Sequence, residues 1–361
     1  MKTTHARLLM AAVLAGGFLC LAHPGEVVGQ QISPAAKVYR GSIGGSHIQM
    51  LLNFQGNNVS GTYSYDSVGE DLKLTGHLDQ QGRLELAERD SKGKQTGKFA
   101  CKKKLGDPID SDCSWSRPDG TRQAYVTLDE QHITFTRGLQ VVPKTIANRR
   151  TGVSVSYPQI TSGPSALGAG AGSFNRRILA LVQKAIKEFE LGTEPGGNSF
   201  ETNYTVLFAT DDLISIEMRE SSFAGGAHPN TGFWSLTYDL SGNKKLELED
   251  LFKPDSDYKI AIAKYVVADI DRRAAAIEEE DARHEGRKPN QRDEPTVTID
   301  QLSEISYWGI TPKGVIVYFD FPHVIAVFDK NFIPFSVVAE CLKPNGPAAR
   351  FIYSGSSPKG L

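Results

Sequence analysis

Between Lys37 and Arg137 the chain is a succession of short alternating runs, and no window in this stretch carries a helical period. Val38 to Ile43, His47 to Phe54, Val59 to Tyr65, Leu72 to Leu78, Leu84 to Glu88, Gly97 to Cys101, Cys113 to Ser116, Ala124 to Leu128 and Ile133 to Thr136 read as strands. Gly44-Gly45, Gly56-Asn57-Asn58, Gln80-Gln81-Gly82, Ser91-Lys92-Gly93 and Pro118-Asp119-Gly120 separate them, residues that accept positive φ or start a turn. In Val59 to Tyr65, Ser60, Thr62 and Ser64 occupy the opposite face, the mark of burial on one side only. Such a series can bury its apolar faces only by curling on itself, so residues 32–142 are expected to form an antiparallel β-barrel or sandwich.

The remainder mixes two periods. Gln140 to Arg150 is polar and contains Pro143, which reads as a boundary. Val153 to Tyr157 alternates like a strand, Ser162 to Gly172 is a loop rich in glycine, alanine and serine, and Ser173 is placed to cap a helix ending near Glu190. In that helix Ile178, Leu181, Val182, Ala185, Ile186 and Phe189 share one face. Strands at Tyr204 to Ala209, Leu213 to Ser221 and Phe233 to Asp239 precede a second helix from Asp257 to about Ile277, and strands around Ile305 to Ile310 and Val315 to Phe319 follow. Residues 151–342 are therefore expected to be an α+β domain with helices on an antiparallel sheet. Glu278 to Glu294, charged and broken by Gly286 and Pro289, is expected to be a surface loop, and residues 343–361 a flexible tail.

The beginning of the chain has the form of an export signal. Lys2 and Arg7 precede an apolar stretch from Leu8 to Ala22, and cleavage is expected after Ala22 or after Gly29, which assigns residues 1–29 to a signal peptide. The apolar run, about 15 residues, is shorter than the roughly 20 that cross a bilayer, and no later segment is longer. Phe18 and Leu19 before Cys20 fit a lipidation site poorly. The mature protein is thus expected to be secreted or periplasmic, without a membrane span. Cleavage after Ala22 removes Lys2 and Arg7 and leaves 38 basic against 42 acidic side chains, a balance that argues against nucleic acid as a partner. In an oxidising compartment Cys101 and Cys113, twelve residues apart on neighbouring strands, are the expected disulfide, with Cys341 left over.

Catalytic signatures are missing. His284-Glu285 has no second histidine at helical spacing, and Gly168-Ala169-Gly170-Ala171-Gly172 lacks the lysine of a phosphate-binding loop and the full dinucleotide fingerprint. No Gly-x-Ser-x-Gly elbow occurs. Asp211-Asp212 reads as a hairpin turn, and Glu247 with Glu249-Asp250 as the start of a helical turn. No catalytic residue, metal ligand or cofactor is expected. The distinctive peptide is Ser221 to Asn230, in which Gly225, Gly226, His228 and Asn230 would cluster at a loop tip, with Trp234 on the strand beyond. These five residues are the candidate ligand-binding set.

Gly225-Gly226-Ala227-His228-Pro229-Asn230, then Tyr238-Asp239-Leu240 with Gly242, Leu246 to Phe252, and Ile310 to Phe321 together resemble the DUF3298, or RsiV-like, extracytoplasmic domain. Tyr39-Arg40-Gly41 and Val59 to Tyr63 resemble the β-rich module that often precedes it. The resemblance implies a non-enzymatic binding or sensing role in the bacterial cell envelope, with a lysozyme-like protein or peptidoglycan as partner. A cell-wall hydrolase would need a carboxylate or a second histidine folded against His228, and a structural envelope protein would need no ligand.

Overall fold

In the computed structural model the described residues are 36–66, 71–105, 112–163, 167–191, 197–226, 228–290, 294–302 and 304–352. The expected signal peptide and residues 353–361 of the expected tail lie outside them.

The first region is a closed antiparallel barrel of β1 (Ala36–Ile43), β2 (Ser46–Gln55), β3 (Asn58–Tyr65), β4 (Leu72–Leu78), β5 (Arg83–Arg89), β6 (Gln95–Lys104), β7 (Cys113–Ser116) and β8 (Ala124–Gln131), with β8 pairing back onto β1. Of the barrel and sandwich alternatives the barrel forms. Tyr39, Ile48, Met50, Leu52, Tyr63, Leu74, Leu84, Phe99 and Val126 alternate inward and fill it. The Cys101–Cys113 disulfide joins directly paired residues of β6 and β7. Ile133 to Thr136, expected as a further strand, contributes only a bridge from Ile133 to Ala209.

The stretch read as a polar boundary is instead β9 (Leu139–Asn148), which pairs along its whole length with β10 (Val153–Ser162). Pro143 is tolerated because β9 is an edge strand. The sheet continues through β11 (Ser199–Ala209), β12 (Leu213–Phe223), β13 (Asn230–Asp239) and the two-residue β14 (Lys244–Lys245), in spatial order β14-β13-β12-β11-β10-β9. It is mixed, not purely antiparallel: β10 and β11 run parallel because helix α1 (Ala169–Leu191) carries the chain back between them. Helix α1 begins four residues before Ser173, so Ala169 to Gly172, expected as the end of the loop, are helical. Gly170 is required there, since a Cβ would lie 1.8 Å from the Leu240 carbonyl oxygen. Phe174, Ile178 and Val182 bury the helix against Trp234, Leu236, Tyr238 and the sheet.

On the opposite face of this sheet sits a second one, β15 (Tyr307–Ile310), β16 (Gly314–Tyr318) and β17 (Lys330–Pro334). Ser215 and Ser235 tie the two together: Ile310 N–H donates to Ser215 Oγ at 3.0 Å, and Ser235 Oγ donates to the Trp308 carbonyl at 2.6 Å. Helix α2 (Tyr258–Glu285) packs on this second sheet. It runs eight residues past Ile277, so the first half of the expected charged loop is helical. Glu278 to Glu285 are mostly helix formers, and the helix stops where Gly286 takes φ 67°. Arg287 then closes onto Glu278 and Glu285. The expected tail is also partly ordered. Phe351 packs edge-on against Phe208 at 4.8 Å, and Arg350 holds Asp212 at 2.7 Å in helix α4 (Ala349–Ile352), which follows the short α3 (Phe335–Val338).

Barrel and sheet are fastened by buried polar contacts. Arg40 of β1, 2% exposed, donates to Asp66 at 2.7 Å and Asn203 at 3.1 Å and lies 4.2 Å over the Tyr204 ring. Lys330 Nζ meets the buried Glu217 at 2.8 Å, and Tyr318 OH donates to the same carboxylate. Burial alone would lower the Lys330 pKa, but the Glu217 and Asp129 carboxylates outweigh it and hold the ammonium charged.

Candidate functional site

The candidate peptide is the turn of the β12–β13 hairpin, whose register runs unbroken from Leu213 opposite Asp239 to Ser222 opposite Asn230. Gly225 and Gly226 have φ of 92° and 116°, values that side chains with a Cβ rarely adopt, so they give the tip its shape. Ala227 lies outside the described residues. Gly225, Gly226, His228 and Asn230 are brought together at this exposed tip. The fifth candidate, Trp234, is elsewhere: it is four residues into β13, 9% exposed, on the face packed by α1.

The sequence reading missed what faces the tip. His323, at the start of a 3-10 turn over His323–Phe328, brings its Nε2 to 3.2 Å from His228 Nδ1, with ring centroids 4.2 Å apart. Ninety-five residues separate the two in sequence, and no spacing rule links them. The His228 Nδ1 also lies 3.2 Å from the Pro229 carbonyl.

Beyond the tip the hairpin borders a groove of about 1080 Å³. One wall is the outer face of α1 from Arg177 to Phe189, the other is built from residues 245–249 and 304–308 with Asp320 and Asp329, and β13 from Thr231 to Thr237 runs between them. Two carboxyl groups here have pKa values above the usual range. Burial raises Glu220, which sits across from Gly232, and Glu188 adds to the rise, while the Trp234 indole N–H opposes it. That N–H lies near the carboxyl, yet makes no hydrogen bond of normal geometry. Burial and the neighbouring Asp320 push Asp329 up to about 6, against the pull of the Phe321 N–H it accepts at 2.9 Å.

The other carboxylates considered in the sequence have local structural partners. Asp211 accepts from Thr136 and from the Thr136 and Arg137 backbone. Asp212 is lowered to about 2 by Arg350. Glu247 and Asp250 form a reciprocal capping box on the 3-10 turn Leu248–Leu251. Among the described residues no cluster of three or more His, Cys, Asp or Glu side chains is arranged to hold a metal ion. No described helix is long and apolar enough to cross a membrane.

Residues 249–326 match the family described as "Protein of unknown function (DUF3298)". The chain carries a DUF3298 domain. Its match takes in residues 304–308 and Asp320 of the second groove wall and His323, whereas the hairpin from Leu213 to Thr231, with His228, falls within residues 147–231, which match "Deacetylase PdaC". Of the stretches that suggested DUF3298, Ile310 to Phe321 lies in its match and Gly225 to Asn230 in the neighbouring one, and the two segments meet in space where His228 touches His323. A 94-residue stretch is 27% identical to "Peptidoglycan-N-acetylmuramic acid deacetylase PdaC" of Bacillus subtilis (strain 168), covering 26% of this chain and 20% of that protein. The chain spans about a fifth of that relative's length. Two crystal structures of DUF3298 family proteins are similar. One, from Pseudomonas aeruginosa PAO1, has 19% identity and a TM-score of 0.36 over 57% of this chain and 94% of that one. The other, from Bacteroides fragilis, has 14% identity and a TM-score of 0.39 over 59% and 96%.

Proposed function

We propose that this is an extracytoplasmic binding protein of the bacterial cell envelope that recognises cell-wall material in the groove beside β13. The observation that carries the reading is the groove itself, a 1080 Å³ cleft in which Trp234 and Tyr307 accompany carboxyl groups held above their usual pKa. Aromatic side chains interspersed with a few aimed polar groups are the make-up of a ligand site. The Trp234 N–H is directed at the Glu220 carboxyl at the groove's wall, without a hydrogen bond of normal geometry. The named activity of the Bacillus subtilis relative directs the choice of ligand to peptidoglycan, and the sequence resemblance adds a lysozyme-like protein as the second partner to try. Secretion through residues 1–29 belongs to the same proposal.

A cell-wall hydrolase is the second reading, and one observation favours it: the second histidine that such an enzyme would need is in place at His323. Co-sedimentation of the purified protein with peptidoglycan, wild type beside Tyr307→Ala and His228→Ala, separates the readings. Tyr307 is 43% exposed, so its truncation leaves the fold intact. Saturable sedimentation weakened by Tyr307→Ala is the expected result. Release of soluble fragments, abolished by His228→Ala, would select the hydrolase, and no sedimentation at all would overturn the proposal.

A further inference from the structure

The groove runs along an open sheet edge. Strand β14 pairs only with Tyr238 and Asp239, and among the described residues no strand pairs with β13 from Asn230 to Thr237 on the side away from β12. The orientation of the free groups follows from one hydrogen bond. The Thr237 carbonyl accepts from Leu246 N–H at 2.9 Å, so the backbone of Thr237 points away from β12. Because the β12–β13 register is unbroken and the pattern repeats every two residues, the N–H and C=O groups of Thr231, Phe233 and Ser235 point the same way. Every residue from Thr231 to Thr237 lines the groove. Natural sheets normally blunt or cover such an edge; here it is held open between two walls.

We infer that the groove binds an extended peptide carrying basic side chains, which adds to the sheet as a strand alongside β13. The inference rests on the groove being the recognition site and names what enters it. A peptide backbone repeats its donor and acceptor every second residue, the spacing of Thr231, Phe233 and Ser235, whereas the hydroxyls of a sugar chain follow no such register. Charge gives the sign of the partner. Among the described residues, four basic and seven acidic side chains line the groove. Three of the basic ones are already paired: Lys184 with Glu188 at 3.6 Å, Lys245 with Glu247 at 2.9 Å and Lys259 with Glu249 at 3.9 Å. Among the described lining residues that leaves Glu220, Glu304, Asp320 and Asp329 against Arg177, an acidic excess that a basic strand neutralises.

The test uses amide hydrogen exchange on the whole protein with three probes: a synthetic octapeptide of alternating valine and lysine, the same peptide with glutamate for lysine, and peptide-free glycan fragments of peptidoglycan. The lysine peptide is expected to bind and to slow exchange at Thr231, Phe233 and Ser235. The amides of Gly232, Trp234 and Leu236, directed at β12, are protected beforehand and change little. Thr231→Pro removes an N–H that β12 does not use, so it is expected to weaken the peptide roughly three- to tenfold while sparing the fold. Binding of the lysine peptide without protection of the alternate amides, or equal binding of the glutamate peptide, overturns strand addition. Binding of the glycan alone also overturns it but leaves the groove as the recognition site; binding of no probe overturns both.

Discussion

Two carboxylates beside tryptophans, one in the barrel and one in the groove, are treated in opposite ways. Glu88, 3% exposed inside the barrel, accepts from Trp115 Nε1 at 2.7 Å, Tyr63 OH at 2.7 Å and Thr96 Oγ1 at 2.5 Å. Gly97 makes the room, for a Cβ there would lie 2.3 Å from the Trp115 nitrogen. Glu220 is also partly buried near an indole N–H, but it gains no comparable set of donors, and its pKa rises. The contrast extends to the sheets that carry them. The barrel closes β8 on β1 and leaves no edge, while the six-stranded sheet ends in an open stretch of β13. A closed region whose Glu88 is fully engaged is built for stability. The open one retains polar groups whose partners must come from outside.

Truncation should separate the two most strongly. Glu88→Ala strips one buried and two half-buried donors of their acceptor and is expected to cost about 3 kcal/mol in urea-induced unfolding, with Glu88→Gln recovering part of it. Glu220→Ala removes a carboxyl that is unfavourably placed and should change stability by less than about 1 kcal/mol, its effect appearing in ligand binding. Equal losses for the two alanine variants would break the comparison.

A smaller effect tests the groove's acidity. Asp329 has a folded pKa of about 6 against an ordinary value of 3.8, so its contribution is fully present below pH 3.8 and is lost as pH rises through 6. Asp329→Asn keeps an acceptor for the Phe321 N–H but cannot ionise. Relative to that variant, the wild type should lose up to about 3 kcal/mol of stability between pH 4 and 7, as two pKa units imply. Parallel pH profiles would mean that Asp329 is better solvated than its burial indicates.

The barrel was legible because closure by short alternating strands leaves its period and its turn residues in the sequence. The Cys101–Cys113 pair was legible for the same reason. What escaped was set by contacts distant in sequence. Polar residues with a proline at 143 read as a linker because an edge strand exposed on one side carries little apolar signal. The charged end of α2 read as a loop because charge suggested solvent more strongly than helix propensity suggested order. For the site, the tip glycines and His228 stood out through local composition. Glu220, Asp329 and His323 did not, since nothing in their own neighbourhoods distinguishes them until the second sheet folds beneath the first.

The smallest expected effect concerns the hairpin tip. His228 and His323 touch, but both are exposed and no carboxylate is paired with either among the described ion pairs. A contact of that kind, with solvent competing for each ring nitrogen, should couple weakly. In a double-mutant cycle of His228→Ala and His323→Ala the interaction energy for unfolding is expected to fall below about 0.5 kcal/mol. The tip would then be an adaptable end to the groove, consistent with paired glycines that hold its shape without packing it. A coupling above about 1.5 kcal/mol would instead make the histidine pair a clasp between the two matched segments. The open region would in that case share the barrel's property of closing on itself, and its tip could not move to admit a ligand.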